Sequence, residues 1–171
     1  MTRSPFAPPV SRKAPRAALF TPALMLAACL LLSGCAIFSG APEPPPPGQG
    51  TVLDTARSQL GVPYCYGGES PSTGFDCSGF IQWAYARHGV KLPRRTADQI
   101  HAGQPVQRGR QQPGDLVFFD LSRRKSSLHA GIVSGRDVFI HSPSPGGVVR
   151  EDRLSAPYWR NSLIQFRRVT P

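Results

Sequence analysis

Hydrophobic residues change their spacing at Pro113-Gly114, and that switch restricts the fold more than any other feature of the chain. Ahead of it they recur at helical intervals. Phe80, Ile81, Ala84, Tyr85 and His88 follow Cys77 along one face until Gly89 stops the run. Val52, Ala56 and Leu60 share a face of an earlier helix that Gly61 ends. Residues 96–102 predict a third, with Thr96 and Gln99 as a capping box. Beyond the switch the pattern is that of strands, at 115–120, 129–133, 138–142, 148–150 and 163–169. Helices first and antiparallel strands after them predict an α+β domain, with N-terminal helices packed on a central antiparallel β-sheet.

The domain does not begin at residue 1. Arg3, Arg12, Lys13 and Arg16 form a basic lead, and residues 17–32 are then nearly all apolar. That run is short for a membrane span and ends in Leu32-Ser33-Gly34-Cys35. The box resembles a bacterial lipoprotein signal, which implies removal of residues 1–34 and lipidation of Cys35; an uncleaved N-terminal anchor is the alternative. Either places the chain on a membrane outside the cytoplasm. Ala36 follows the cysteine, without an aspartate to suggest inner-membrane retention, so the periplasmic face of an outer membrane is the expectation for a Gram-negative source. Pro42, Pro44, Pro45, Pro46 and Pro47 make residues 35–50 an extended tether, and the globular domain is expected over 51–171.

Removing the four basic residues of the lead leaves sixteen Lys and Arg against ten Asp and Glu. This formal +6 suits an anionic polymer such as murein. No basic helix or aromatic-spaced basic stripe marks a nucleic-acid site, and Arg123, Arg124 and Lys125 read as a solvated loop. No CxxC or HxxxH spacing supports a metal, and no cofactor is expected. With Cys29 in the signal and Cys35 at the lipid site, Cys65 and Cys77 remain, and a disulfide between them is the structural alternative to a reactive thiol. Cys65 is expected to be free and packed, because it follows Tyr64 in an extended segment and points the other way.

Asp76 is a good N-cap, which puts Cys77 in the first helical turn. There the unpaired N–H groups and the positive helix end favour thiolate. His129 opens one strand segment and His141 closes the next. A hairpin loop with an odd number of residues puts both rings on one face; an even loop separates them. Facing rings beside a helix-start cysteine predict acyl transfer, with Cys77 as nucleophile, His129 as base and His141 orienting His129. The backbone N–H of Cys77 and the Tyr64 hydroxyl are candidate oxyanion donors.

In this order, Gly61-Val62-Pro63-Tyr64 with Gly67-Gly68, Gly74-Phe75-Asp76-Cys77-Ser78-Gly79-Phe80 and Leu92-Pro93-Arg94 precede the switch. Pro113-Gly114-Asp115-Leu116-Val117-Phe118-Phe119, His129-Ala130-Gly131-Ile132-Val133 and Phe139-Ile140-His141-Ser142-Pro143 follow it. With these segments the domain resembles the NlpC-type family of papain-like cell-wall cysteine peptidases, specifically its small lipoprotein members. The resemblance implies a Cys77–His129–His141 triad with Tyr64 near the thiol. It also implies hydrolysis of amide bonds in peptidoglycan stem peptides, by a protein expected to be monomeric. Asp76 and Ser78 look similar to substrate-contacting positions, although each could equally serve as a cap. Two other classes remain open, a non-catalytic murein-binding module and a thiol acyltransferase or amidase. Both the γ-glutamyl–diamino-acid bond and the cross-link between stems remain open as the bond cut.

Overall fold

The computed structural model describes residues 46, 49–122 and 127–170. The signal, Cys35, nearly all of the tether and Arg123-Arg124-Lys125 lie outside the described residues. The elements in chain order are α1 (Val52–Arg57), β1 (Glu69–Ser70), β2 (Gly74–Phe75), α2 (Cys77–Ala86), α3 (Thr96–Gln99) and β3 (Gln104–Val106). Then follow β4 (Leu116–Asp120), β5 (Leu128–Gly135), β6 (Val138–His141), β7 (Arg150–Arg153), α4 (Pro157–Ser162) and β8 (Leu163–Arg168). β1 pairs with β2, and the other six strands form an antiparallel sheet in the order β3-β8-β4-β5-β6-β7. The α+β expectation holds.

The central sheet is buried on both faces, which explains why Leu116-Val117-Phe118-Phe119 is apolar throughout instead of alternating. Leu116, Phe118, Ala130, Ile132 and Ile140 pack with Phe80, Ile81, Ala84 and Tyr85 of α2. Val117, Phe119, Val133 and Phe139 pack with Trp159 of α4 and Phe166 of β8. Each fully buried Val, Leu, Ile or Phe among them contributes about 1.5–3 kcal/mol. The sheet edges are unattractive to further strands, since β3 carries Pro105 and β7 reads Arg-Glu-Asp-Arg.

Several local expectations are corrected. α1 stops at Arg57 and leaves Leu60 exposed; its start is fixed by a reciprocal capping box of Thr51 and Asp54. α3 has no side-chain cap. Gln99 is instead drawn inward, its amide donating to the carbonyls of Ser78 and Pro93. The strand expected at 148–150 lies further on, at Arg150–Arg153, with Val148 making an isolated bridge to Pro63. β1, β2, β3 and α4 were not legible; the first three are two or three residues long.

Candidate active site

α2 begins as its sequence suggests. Asp76 has an extended backbone, and its Oδ1 accepts from the Gly79 N–H at 2.7 Å, so Cys77 is the first helical residue. The loop ahead of it presses directly on this turn. A Cβ on Gly79 would stand 2.1 Å from the Gly68 carbonyl oxygen, which only glycine allows.

An open cleft of about 860 Å³ lies at this helix start, and Cys77, His129, Tyr64, Asp76, Ser78 and Thr96 all line it. The half-buried Cys77 Sγ is 3.4 Å from the Thr96 hydroxyl. Burial pushes the thiol's pKa up, against the opposing pull of Thr96 and the backbone N–H of Ala130. The helix-start effect expected to favour thiolate is therefore outweighed by desolvation, and the resting group is the thiol. Cys65 and Cys77 are both free, and Cys65 is exposed at the surface, not packed as expected.

The two histidines meet. His129 Nε2 and His141 Nδ1 are 2.8 Å apart, with the rings edge to face. Register accounts for it. Gly135 pairs with Val138 around the two-residue turn Arg136-Asp137, and an unbroken ladder from there would send the two rings to opposite faces. A bulge between Val133 and Gly135 absorbs Ser134 and shifts the pairing to Val133↔Phe139, which returns both rings to one face on a diagonal. Gly131 clears the space between them: a Cβ there would lie 2.6 Å from the Phe139 ring and 3.2 Å from the His141 Cβ.

Behind the pair, His141 Nε2 is 3.0 Å from Asp152 Oδ2. The sequence reading missed Asp152, because its strand was placed two residues early. It sits opposite Phe139 on β7 and so repeats, one strand over, the diagonal relation of the two histidines. The Trp159 ring stacks on His129 with centroids 5.3 Å apart and meets His141 edge-on. Burial under this ring lowers His129 to about 3, helped by His141 and opposed by Asp152. It lowers His141 to about 4, again against Asp152. Both rings are neutral at rest.

Asp76 and Ser78 line the cleft but are already engaged. Arg94 clamps both Asp76 oxygens at 2.9 and 2.7 Å and also donates to the Ser78 hydroxyl at 3.0 Å. Burial works against the Asp76 charge, but Arg94 and the cap bond outweigh it and hold the carboxyl below its ordinary value. Burial raises the Tyr64 phenol, and the neighbouring acidic groups Cys77 and Asp76 oppose its ionisation further, so it stays a proton donor.

The profile of the NlpC/P60 family matches residues 61–168. The chain belongs to the NlpC/P60 family. Among its relatives in this family, the probable endopeptidase NlpC of Escherichia coli K12 is 37% identical over 155 residues, covering 85% of this chain and 97% of that protein. The murein DD-endopeptidase MepH of the same strain is 39% identical over 121 residues, covering 69% of this chain and 45% of MepH. The bifunctional muramidase/DL-endopeptidase CwlT of Bacillus subtilis 168 is 38% identical over 120 residues, covering 70% and 36%. The chain thus spans less than half the length of MepH and CwlT. An NlpC/P60 protein from Bacillus cereus superposes with a TM-score of 0.66 at 35% identity, over 70% of this chain and 39% of that one. The NlpC/p60 domain of the peptidoglycan hydrolase SagA gives 0.60 at 28% identity, over 70% and 97%. The papain-like fold expected from the sequence is therefore shared with solved members of the family.

Proposed function

We propose that this NlpC/P60 protein is a monomeric, lipid-anchored peptidoglycan endopeptidase that cuts amide bonds in stem peptides or their cross-links. The observation that carries the reading is the cleft at the start of α2, where Cys77 and a neutral, hydrogen-bonded His129 lie together. Cys77 Sγ attacks the scissile carbonyl carbon as His129 takes the thiol proton. The oxyanion is met by donors at the helix start, the Cys77 N–H and the Tyr64 hydroxyl. Collapse breaks the C–N bond, and His129 gives its proton to the leaving amine. Water, deprotonated by His129, then attacks the thioester; the C–S bond breaks to free the new carboxyl group, and His129 returns its proton to Cys77 Sγ. Asp76 and Ser78 shape the substrate side of the cleft together with Arg94.

Names among the relatives include both DD- and DL-endopeptidases, which leaves the bond open between the stem and the cross-link. The domain stands on its tether, residues 35–50, above an outer-membrane anchor at Cys35, with residues 1–34 removed. Digestion of purified murein with the full chain, followed by mass spectrometry of the fragments, tests the activity. New peptide termini are expected from the wild type and none from Cys77→Ala or His129→Ala; His141→Ala retains a reduced rate because it orients the base. A fully active Cys77→Ala refutes the mechanism. New acyl products would mark an acyltransferase, and binding without cleavage a murein-binding module. Cys35→Ala should move the chain from the membrane to the soluble fraction.

A further inference from the structure

Hydrogen bonds fix the direction in which protons run through the histidine pair, starting from Asp152. Its Oδ2 lies 3.1 Å from Trp159 Nε1 and 3.2 Å from Arg150 Nη2. Both are groups that only donate, so Oδ2 is an acceptor and carries no proton. The His141 Nε2 at the same oxygen must then hold a hydrogen. A neutral His141 with Nε2–H has a bare Nδ1, which can only accept. Its partner, His129 Nε2, must therefore donate, and a neutral ring that donates through Nε2 is bare at Nδ1.

We propose that Asp152 is a positioning residue that sets the tautomer of both histidines and so leaves an unprotonated Nδ1 on His129 as the base for Cys77. The inference rests on the reading of Cys77 and His129 as nucleophile and base. The opposite arrangement, with hydrogen on both Nδ1 atoms, would give the thiol a donor where it needs an acceptor, and only the far end of the chain distinguishes the two. The charged and titratable groups facing the pair are Asp152 and Arg150 from β7, while Cys77 from α2 lines the cleft onto which His129 opens. α4 turns the Trp159 ring to both imidazoles and holds them against rotation.

Long-range proton–nitrogen NMR of the ¹⁵N-labelled full chain at pH 7 reads the tautomers directly. Both His129 and His141 are expected as Nε2–H; either ring found as Nδ1–H overturns the proposal, whatever the activity. In Asp152→Asn, Trp159 and Arg150 still call for an oxygen at that point. The amide should therefore present its carbonyl, keep the tautomers and lose only the charge. Its kcat on soluble muropeptides is expected to fall about tenfold with KM within about twofold. Asp152→Ala should show mixed tautomers and a loss on the order of 100-fold, the lower end of what general-base catalysis supplies. Thermal melts identify any variant that fails to fold, and the wild-type spectrum then decides by itself. Wild-type tautomers and equal kcat in both variants would also overturn the proposal. Failure of the base reading would look different: His129→Ala would cleave normally while the spectrum stayed as expected.

Discussion

Acidification from pH 7 to pH 5 should cost this fold about 4 kcal/mol, nearly all of it through two side chains. His129 is 4% exposed and His141 fully buried, and both are neutral in the folded protein, with burial lowering them to about 3 and about 4. In the unfolded chain each returns to about 6.5. The unfolded state therefore takes up protons as the pH falls through 6.5, while the folded state does not until 4 and then 3. Stability is complete above 6.5 and is lost on the way down. At about 1.36 kcal/mol per pH unit, each ring accounts for about 2 kcal/mol between pH 7 and 5. Against a typical total of about 5–15 kcal/mol this is a large share. Asp76 and Asp152, both held below their ordinary value, add their own loss only beneath about pH 4, outside this window. Urea unfolding of the full chain at pH 5, 6 and 7 measures the effect, with a His129→Asn/His141→Asn double variant as the reference. His88 and His101 are present in both proteins and cancel. A wild-type pH slope no steeper than that of the double variant would refute the argument that these rings are buried uncharged.

Three further outcomes follow from the geometry. Gly131→Ala should destabilise by about 1–3 kcal/mol and lower murein cleavage, because its methyl group meets the Phe139 ring and the Ile140 carbonyl at 2.6 and 2.8 Å; a melt unchanged from wild type would count against the packing described. Ser134→Ala should be neutral or stabilising by up to about 1 kcal/mol, since the buried Ser134 hydroxyl finds no hydrogen-bond partner among the described residues, and chemical denaturation checks it. Arg94→Met should cost about 2 kcal/mol, because it strips the Asp76 carboxylate of its counter-charge, and NMR titration should find the Asp76 pKa raised towards the ordinary value.

What the sequence revealed depended on how local the cause was. The Asp76 cap, the Cys77 helix and the long strands β4 and β5 are set by nearby residues, and all were readable. The meeting of His129 and His141 was readable only as a condition on loop parity, because a bulge is invisible until the ladder is seen. At Thr96 and Gln99 the capping pattern was present, yet tertiary contacts took both side chains elsewhere, Thr96 to the thiol and Gln99 to two buried carbonyls. Asp152 was lost for a geometric reason. With period-two alternation, a strand boundary set two residues early leaves the partner of His141 beyond the strand, where it reads as one more charge in Arg-Glu-Asp-Arg.

The cost of the buried pair and its use have a single origin. A solvent-exposed imidazole would be partly protonated near neutral pH and so partly useless as a base, whereas His129 beneath Trp159 keeps its lone pair well below pH 6. The same burial disfavours an imidazolium at rest, so on the proposed mechanism the thiol keeps its proton until a substrate carbonyl is in place to receive the sulfur. In that mechanism charge appears only in the transition state, with Asp152 one ring away to compensate it. On the proposed mechanism acid pH erodes the stability of the fold from about 6.5 downward, well before it protonates the base at about 3. Cleavage at pH 5 should therefore persist although the urea midpoint has already fallen below its value at pH 7.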